Sequence, residues 1–141
     1  MHRQKKIVIW LLIIVLFCLT ILGAGYYYQK VVLNGYPDTP NFLKKIDQLQ
    51  ADEDSQSVLV FHKPGCSKCA HIRSTVKEVI KTNHRYNYIV IDVTKKEAKA
   101  LFIKYGITQV PTIIHLRGNQ VVASTTSTEP QQVKKVMTGE N

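Results

Sequence analysis

The sequence predicts an α/β domain, a central mixed sheet flanked by helices, behind one N-terminal apolar helix. Three observations lead to this prediction. Residues 7–25 form an apolar run. After residue 38, short apolar segments rich in β-branched residues alternate with segments of helical periodicity. The first predicted strand leads directly into a Cys-x-x-Cys motif at residues 66–69, where an amphipathic helix begins.

The apolar run is predicted to be a membrane-spanning helix in contact with lipid. Residues 7–25 are 19 residues, and at about 1.5 Å per residue such a helix matches a hydrocarbon core about 30 Å thick. Three basic residues precede the run, whereas Lys30 is the single one between it and Lys44. The excess of positive charge on one side predicts that residues 1–6 are cytoplasmic and that the rest of the chain is outside.

A cleaved signal peptide is the alternative interpretation of this run, because small residues at 23–25 follow a basic start and an apolar stretch. In that case the domain is secreted after cleavage. The run is longer than the roughly 7 to 15 residues of a signal-peptide core, which favours a retained anchor. Cys18 lies within the run and is interpreted as a small apolar residue. Residues 26–37, which include Gly35 and Pro37, are predicted to be a tether.

The folded domain is predicted to cover residues 38–141 and to begin with a helix. The helix-start residues Thr39, Pro40 and Asn41 come first, and apolar residues then recur on one face. Those apolar residues are Phe42, Leu43, Ile46 and Leu49.

A strand, a helix and a second strand are predicted next. Val58–His62 is a short apolar segment of the kind that is buried on both faces, and it ends at Pro64 and Gly65. Cys66–Lys81 has helical periodicity, and Tyr88–Val93 repeats the pattern of a buried strand. Such a unit predicts two parallel strands joined by a right-handed crossover.

The C-terminal part is predicted to contain two helices and a hairpin. Thr94 is predicted to cap a helix that Gly106 ends. Strands at 112–116 and 120–124 flank a short turn and predict an antiparallel hairpin. Pro130 then opens a last helix that runs to about residue 137.

Composition and charge exclude several classes of protein. Of the 141 residues, 45% are hydrophobic and 21% are charged, which is typical of a globular chain and not of a disordered or fibrous one. Three cysteines are too few for a small disulfide-stabilised scaffold. The net charge is +9 for the chain and +5 for residues 38–141. An exported domain without a motif of alternating aromatic and basic residues is not expected to bind nucleic acid.

The cysteine pair is the predicted catalytic site. A thiol reacts as its thiolate, and the positive end of a helix dipole, with Lys68 nearby, stabilises that form of Cys66. Cys66 is therefore the expected nucleophile. Cys69 lies one helical turn further on the apolar face and is the expected resolving thiol. With two residues between them, Ser67 and Lys68, the sulfurs can close and reopen a disulfide.

Two other uses of the cysteines are considered. Zinc binding requires two further ligands, and the nearest candidates are His62 and His71. His71 lies about 200° around the helix axis from Cys69, which counts against it. A purely structural disulfide across so short a loop removes little unfolded-state entropy. The sequence therefore indicates neither a metal site nor a cofactor.

The domain resembles the thioredoxin fold family in two places. One is the strand that leads into the cysteine motif, residues 58–69. The other is the segment of residues 104–112, Lys-Tyr-Gly-Ile-Thr-Gln-Val-Pro-Thr, which is similar to the segment that carries the family's cis-proline. The resemblance implies that Pro111 is cis, that its loop faces the cysteines, and that the backbone of Val110 binds substrate.

The chain also differs from the family pattern near the cysteines. Gly65 stands where thioredoxins usually have tryptophan, and Val60 stands where they have a buried acid. Ser67 and Lys68 match neither the Gly-Pro of thioredoxins nor the dipeptides of the oxidase and isomerase branches. Oxidation, reduction and isomerisation therefore all remain open as the direction of the reaction.

The sequence predicts a membrane-anchored, extracytoplasmic thiol-disulfide oxidoreductase. Its expected substrates are cysteine-containing exported proteins, and an unidentified redox partner is expected to recycle the cysteine pair. The alternative is a non-enzymatic accessory subunit of a membrane transport or secretion system. This alternative rests on the architecture, an anchored and exported domain that resembles small accessory proteins of Gram-positive bacteria.

Overall fold

The computed structural model describes residues 2–28 and 35–140. It contains two units, an N-terminal one with a single long helix and a second one that begins at Gly35. The N-terminal helix, α1, covers His2–Tyr27, so the predicted span of residues 7–25 lies entirely within it. Among the described helices, this is the one that is long and apolar enough to cross a membrane. Half of the predicted tether of residues 26–37, namely residues 29–34, lies outside the described residues.

The second unit alternates helices and strands in the predicted order. In chain order the elements are α2 (Phe42–Gln50), β1 (Gln56–His62), α3 (Ser67–Thr82), β2 (Asn87–Asp92), a short 3-10 helix (Lys96–Ala98), α4 (Lys99–Tyr105), β3 (Thr112–Arg117), β4 (Gln120–Thr125) and α5 (Pro130–Thr138).

The four described strands form one mixed sheet in the order β2-β1-β3-β4. Strand β1 pairs in parallel with β2, so that Val60 is opposite Val90. It pairs antiparallel with β3, and β3 with β4. The predicted parallel crossover and the predicted hairpin are therefore both confirmed. Strand β1 is central and lies between one parallel and one antiparallel neighbour, and the cysteine motif follows its end.

Each face of the sheet is covered by helices. On one face, Val58 and Val60 pack with residues of α3 and α5, such as Ile72 and Met137. On the other face, Leu59 and its neighbours pack with residues of α2 and α4. Because side chains alternate along a strand, β1 contributes to both cores, and six of its seven residues are buried. This agrees with the continuous apolar pattern from which the strand was predicted.

Two details at the ends of elements differ from the prediction. Thr94 does not cap a helix: its backbone N–H and its hydroxyl both donate to Asp92 Oδ1, and the 3-10 helix begins after Lys95. The N-cap of this helix is Lys95, so Thr94 lies one residue too early to accept a hydrogen bond from its first turn. Strand β1 begins at Gln56 and not at Val58, because Gln56 and Ser57 pair with residues of β3.

The folded unit includes residues that the sequence placed in the tether. Tyr36 is 8% exposed and belongs to the core beside α3. The N–H of Thr39 donates to the Val90 carbonyl, and the Val90 N–H donates to Thr39 Oγ1. These contacts attach the segment before α2 to strand β2.

Candidate active site

A tight turn between β1 and α3 places the cysteine motif. Gly65 has φ 76°, in the left-handed region that suits glycine, and a Cβ there would meet no atom within 4 Å. The next residue, Cys66, returns to extended backbone and is the N-cap of α3. Gly65 thus reverses the chain immediately before the helix, and the first turn of α3 presents both sulfurs at the end of β1.

The two sulfur atoms lie together at the N-terminus of α3. Cys66 and Cys69 are free thiols with their Sγ atoms 2.6 Å apart, and the Cys69 thiol donates to Cys66 Sγ. The backbone N–H of Cys69 also donates to Cys66 Sγ, at 3.2 Å. Cys66 Sγ therefore accepts two hydrogen bonds, one of them from the unpaired amides that begin a helix. Cys66 is thus the hydrogen-bond acceptor of the pair and Cys69 is the donor.

Burial distinguishes the two cysteines. Cys66 is partly exposed, whereas Cys69 is 1% exposed and packs in the core beneath α3. Burial, and secondly the hydrogen bond with Cys66, raises the pKa of the Cys69 thiol to about 12. The buried thiol is therefore protonated at neutral pH, while the accessible sulfur is the one that accepts hydrogen bonds.

The loop before β3 faces the cysteines. The peptide bond between Val110 and Pro111 is cis, as predicted. The carbonyl oxygen of Val110 lies 4.0 Å from Cys66 Sγ, and Val110 is partly buried against the core. The hydroxyl of Thr112 donates to the Gln109 carbonyl across this loop, at 2.6 Å. The cis-proline loop and the cysteine motif therefore lie side by side, although they are far apart in the sequence.

A family comparison agrees with this geometry. The thioredoxin family model matches residues 37–139, which is most of the chain. The chain belongs to the thioredoxin family. Thioredoxin-1 of Drosophila melanogaster is 30% identical over 91 residues, which cover 64% of this chain and 83% of that protein.

Solved thioredoxin structures have the same fold as this domain. The germline-specific thioredoxin Deadhead of Drosophila has a TM-score of 0.60 and 26% identity, over 74% of this chain and 98% of that one. A thioredoxin of Malassezia sympodialis also has a TM-score of 0.60, with 17% identity over 68% and 83% of the two chains. Together, the family match and the Cys66–Cys69 pair identify the domain as a thiol-disulfide oxidoreductase.

The remaining predicted site residues surround the motif of this thioredoxin domain. Gly65, Ser67 and Lys68 are all exposed around Cys66. His71 is exposed on α3, on the side away from the buried Cys69, as the helical spacing predicts. Within the described ranges, no group of three or more His, Cys, Asp or Glu side chains is arranged to hold a metal ion.

Three residues near the thioredoxin motif had not been assigned to the site from the sequence. Tyr36 donates a 2.6 Å hydrogen bond from its hydroxyl to the Cys69 carbonyl. Asp38 Oδ1 lies 2.6 Å from Nε2 of His62, whose side chain is fully buried. From the sequence, His62 is considered only as a candidate zinc ligand at the end of the strand. A histidine in an otherwise apolar strand was the available signal, but its partners come from a segment that had been assigned to the tether or its edge.

Proposed function

We propose that this protein is a membrane-anchored, extracytoplasmic thiol-disulfide oxidoreductase that exchanges disulfides with exported proteins. The observation that carries the proposal is the pair of adjacent sulfurs at the N-terminus of α3, one accessible and one buried, beside the Val110 carbonyl. Cys66 is the nucleophile, Cys69 is the resolving thiol, and the backbone of Val110 next to Pro111 binds the substrate segment that carries the reacting sulfur.

In this reaction the Cys66 thiolate attacks a substrate disulfide and forms a mixed disulfide. Cys69 then attacks the Cys66 sulfur, and the substrate leaves as a dithiol while the protein becomes oxidised. The same steps run in reverse oxidise a substrate. In either direction, a redox partner restores the starting state of the cysteine pair.

Trapping experiments test the roles of the two cysteines. We expect Cys66→Ser to abolish disulfide exchange, because the accessible nucleophile is lost. We expect Cys69→Ser to accumulate mixed disulfides, which non-reducing gels of cell extracts would reveal. Disulfide exchange that persists in Cys66→Ser would contradict the assignment.

The direction of the reaction is tested by the reduction potential. The full chain in detergent, with Cys18→Ala to leave one pair of thiols, is equilibrated against glutathione or dithiothreitol. A potential near about −120 mV is typical of a disulfide donor, and one near about −270 mV is typical of a reductant. The absence of a reversible disulfide would contradict an oxidoreductase role for this pair.

The extracytoplasmic location rests on the apolar helix α1 and on the basic residues before it. We expect a membrane-impermeant maleimide to modify Cys66 in intact cells that carry the Cys18→Ala chain. Modification only after the cells are lysed would place the domain in the cytoplasm. Fractionation distinguishes an anchored protein from one that is secreted after cleavage.

The accessory-subunit alternative predicts that the Cys66→Ser, Cys69→Ser double variant fully replaces the wild-type protein in a deletion strain.

A further inference from the structure

His62 is a buried histidine at the end of β1, close to the cysteine motif. Side chains two residues apart on a strand point to the same face, so His62 shares the face of Val58 and Val60, which pack in the core with Cys69. The His62 side chain is fully buried. A polar ring in this position is costly unless it has partners, and these partners indicate a role.

Asp38 is the first partner and determines which ring nitrogen carries the proton. Its Oδ1 lies 2.6 Å from His62 Nε2. Because a carboxylate only accepts hydrogen bonds, Nε2 carries a proton, and in the neutral ring Nδ1 has a free lone pair. In the part of the chain that the structure describes, Nδ1 of His62 is the one buried side-chain nitrogen or oxygen without a hydrogen-bond partner. The ring is thus a base oriented by a carboxylate, with its accepting atom unoccupied.

Tyr36 connects this histidine to the resolving cysteine. The rings of Tyr36 and His62 are stacked, with centroids 4.2 Å apart and an interplanar angle of 17°. The Tyr36 hydroxyl donates to the backbone carbonyl of Cys69, at 2.6 Å. Asp38, His62, Tyr36 and Cys69 therefore form a continuous series of contacts.

The titratable and charged groups around His62 come from several elements. Asp38 is hydrogen-bonded to the His62 ring, Tyr36 stacks on it, Asp92 is its partner in β2 and Lys63 follows it in the chain. Cys69, Arg73 and Cys66 are the charged or titratable groups that act on Tyr36. Asp92 is opposite His62 in the parallel pair, and its Oδ1 already accepts two hydrogen bonds from Thr94. Burial, and secondly Cys69, raises the pKa of Tyr36 well above its ordinary value, an effect that Arg73 opposes.

Cys69 requires a proton acceptor if it is to act as a resolving thiol. It is 1% exposed, and at neutral pH its thiol is protonated because burial raises its pKa. The side chain of Val60, on the same face of β1, has no atom that can accept a proton. The Tyr36 hydroxyl is already used as a donor to the Cys69 carbonyl. Among the buried side-chain nitrogens and oxygens of residues 2–28 and 35–140, His62 Nδ1 is the one without a hydrogen-bond partner.

We propose that His62, oriented by Asp38, accepts the proton that Cys69 releases when it resolves a mixed disulfide. The inference rests on the roles proposed above for Cys66 and Cys69. In the step, the Cys69 sulfur bonds to the Cys66 sulfur while the bond between Cys66 and the substrate sulfur breaks. The substrate sulfur leaves as a thiolate with the electron pair, and the Cys69 proton moves to His62 Nδ1. The substrate sulfur is reduced and the cysteine pair is oxidised.

His62 is a base that acts without direct contact, because its Nδ1 makes no hydrogen bond to Cys69 in the described structure. Asp38 is the positioning residue, since it orients the ring. In the proposed step the proton crosses through one water molecule between Sγ and Nδ1, the indirect route by which a general base can act. Tyr36 contacts both groups, since its ring stacks on the imidazole and its hydroxyl is hydrogen-bonded to the Cys69 carbonyl. The proposal therefore predicts an effect on the resolving step and none on the initial attack by Cys66.

The experiment follows the two steps separately. The full chain in detergent micelles, with Cys18→Ala, is reduced and mixed with a chromogenic aromatic disulfide in a stopped-flow instrument. Attack by Cys66 releases the first coloured thiolate, at a rate that depends on reagent concentration. Attack by Cys69 on the mixed disulfide releases the second, at a rate that does not. Each phase is recorded from pH 6 to pH 9.

The variants remove the base or its orienting group. His62→Phe keeps an aromatic ring against Tyr36 but has no acceptor, and Asp38→Asn removes the carboxylate. His115→Phe is the matched control, because His115 is also a buried histidine in the sheet, paired with Gln56 and packed against Tyr86. His115 is opposite Val58, toward the other end of β1. Circular dichroism confirms folding before the kinetics are measured.

We expect the second phase to slow by about tenfold or more in His62→Phe and Asp38→Asn. The effect should be smaller than the roughly 10²–10⁴-fold that a base in direct contact contributes, because His62 acts through water. We expect the first phase to change less than about twofold and His115→Phe to match the parent in both phases. In His62→Phe the second-phase rate should rise about tenfold per pH unit, because hydroxide then supplies the base. The parent should depend less steeply on pH.

Several results would overturn the inference. One is a second phase that is unchanged in a folded His62→Phe protein, and another is an equal slowing in His115→Phe. If His62→Phe does not fold, Asp38→Asn decides by the same two criteria, because Asp38 is partly exposed at the edge of the domain. A parent protein that shows the first phase but never the second would contradict the role of Cys69 itself. That result would overturn the proposed function together with this inference.

Discussion

At the scale of single residues, the two cysteines differ because one end of a helix gives them different surroundings. Cys66, at the N-cap, accepts hydrogen bonds from the N–H and the thiol of Cys69 and is partly exposed. Cys69 is one turn further, where the helix faces the core. The same three-residue spacing that allows a disulfide thus makes one sulfur accessible and keeps the other protonated.

The raised pKa of Cys69 predicts how stability depends on pH in the reduced protein. A folded-state pKa of about 12 lies above the ordinary value of 9.0. The folded state therefore holds the proton more tightly than the unfolded state does. The stabilisation is complete below about pH 9 and is lost as the pH rises toward 12.

We expect the reduced protein to lose free energy of unfolding between pH 8.5 and 11, as measured by urea denaturation. The Cys69→Ala variant should lose less over the same interval, because it lacks this thiol. Tyr36 and Tyr88, whose pKa values are also raised by burial, contribute to both proteins and set the remaining slope. Equal slopes in the two proteins would contradict the prediction.

Gly65 predicts a backbone effect next to the active site. Its φ of 76° is unfavourable for any residue with a Cβ, although no atom lies within 4 Å of the place a Cβ would occupy. We expect Gly65→Ala to cost about 1–2 kcal/mol of unfolding free energy. Ser67→Ala, two residues away and exposed, should change it by less than about 0.5 kcal/mol. Thermal denaturation of both variants tests the difference.

At the scale of elements, the predictions from periodicity were confirmed and those at element ends were less accurate. The buried strands and the amphipathic helices follow from patterns that extend over many residues. The start of a helix depends on one or two hydrogen bonds, and Lys95, not the predicted Thr94, is the N-cap of the 3-10 helix. The first residues of β1, Gln56 and Ser57, are polar and join the strand only because β3 pairs with them.

Helix α5 shows how an element depends on its buried face. Met137 and Val133 are fully buried against the core beside α3. We expect Met137→Ala to lower the unfolding free energy by about 2–5 kcal/mol, because it leaves a cavity. Lys134→Ala, on the exposed side of the same helix, should have little effect. Chemical denaturation of both variants tests this, and similar losses would indicate that α5 contributes through helix propensity and not through packing.

At the scale of the whole molecule, the segment before α2 is part of the catalytic domain. The Tyr36 hydroxyl donates a hydrogen bond to the Cys69 carbonyl, and Asp38 is hydrogen-bonded to His62. Arg73 lies against Gly35. A compact unit that begins at Gly35 therefore brings the end of the predicted tether into contact with the active site.

This arrangement predicts that two fragments will differ in stability. We expect the fragment 35–141 to fold, and the fragment 39–141 to be less stable by about 2.5–6 kcal/mol. The shorter fragment loses about 1.5–3 kcal/mol from the buried Tyr36 side chain and about 1–3 kcal/mol because His62 no longer has Asp38 as a partner. Urea denaturation measures the difference, and equal midpoints would show that residues 35–38 do not stabilise the domain.

The sequence alone determined the class of this protein, because the patterns that indicate the class each lie within a short stretch of the chain. An apolar run, strand and helix periodicities, and a cysteine motif at a strand end are all readable within short windows of the chain. The tertiary structure decided what surrounds the reactive atoms. The Val110–Pro111 loop was expected near the cysteines from the thioredoxin resemblance, but the contacts of Tyr36 with Cys69 and of Asp38 with His62 were not. These contacts join positions 24 to 33 residues apart, and only packing against one face of the sheet brings such distant side chains together.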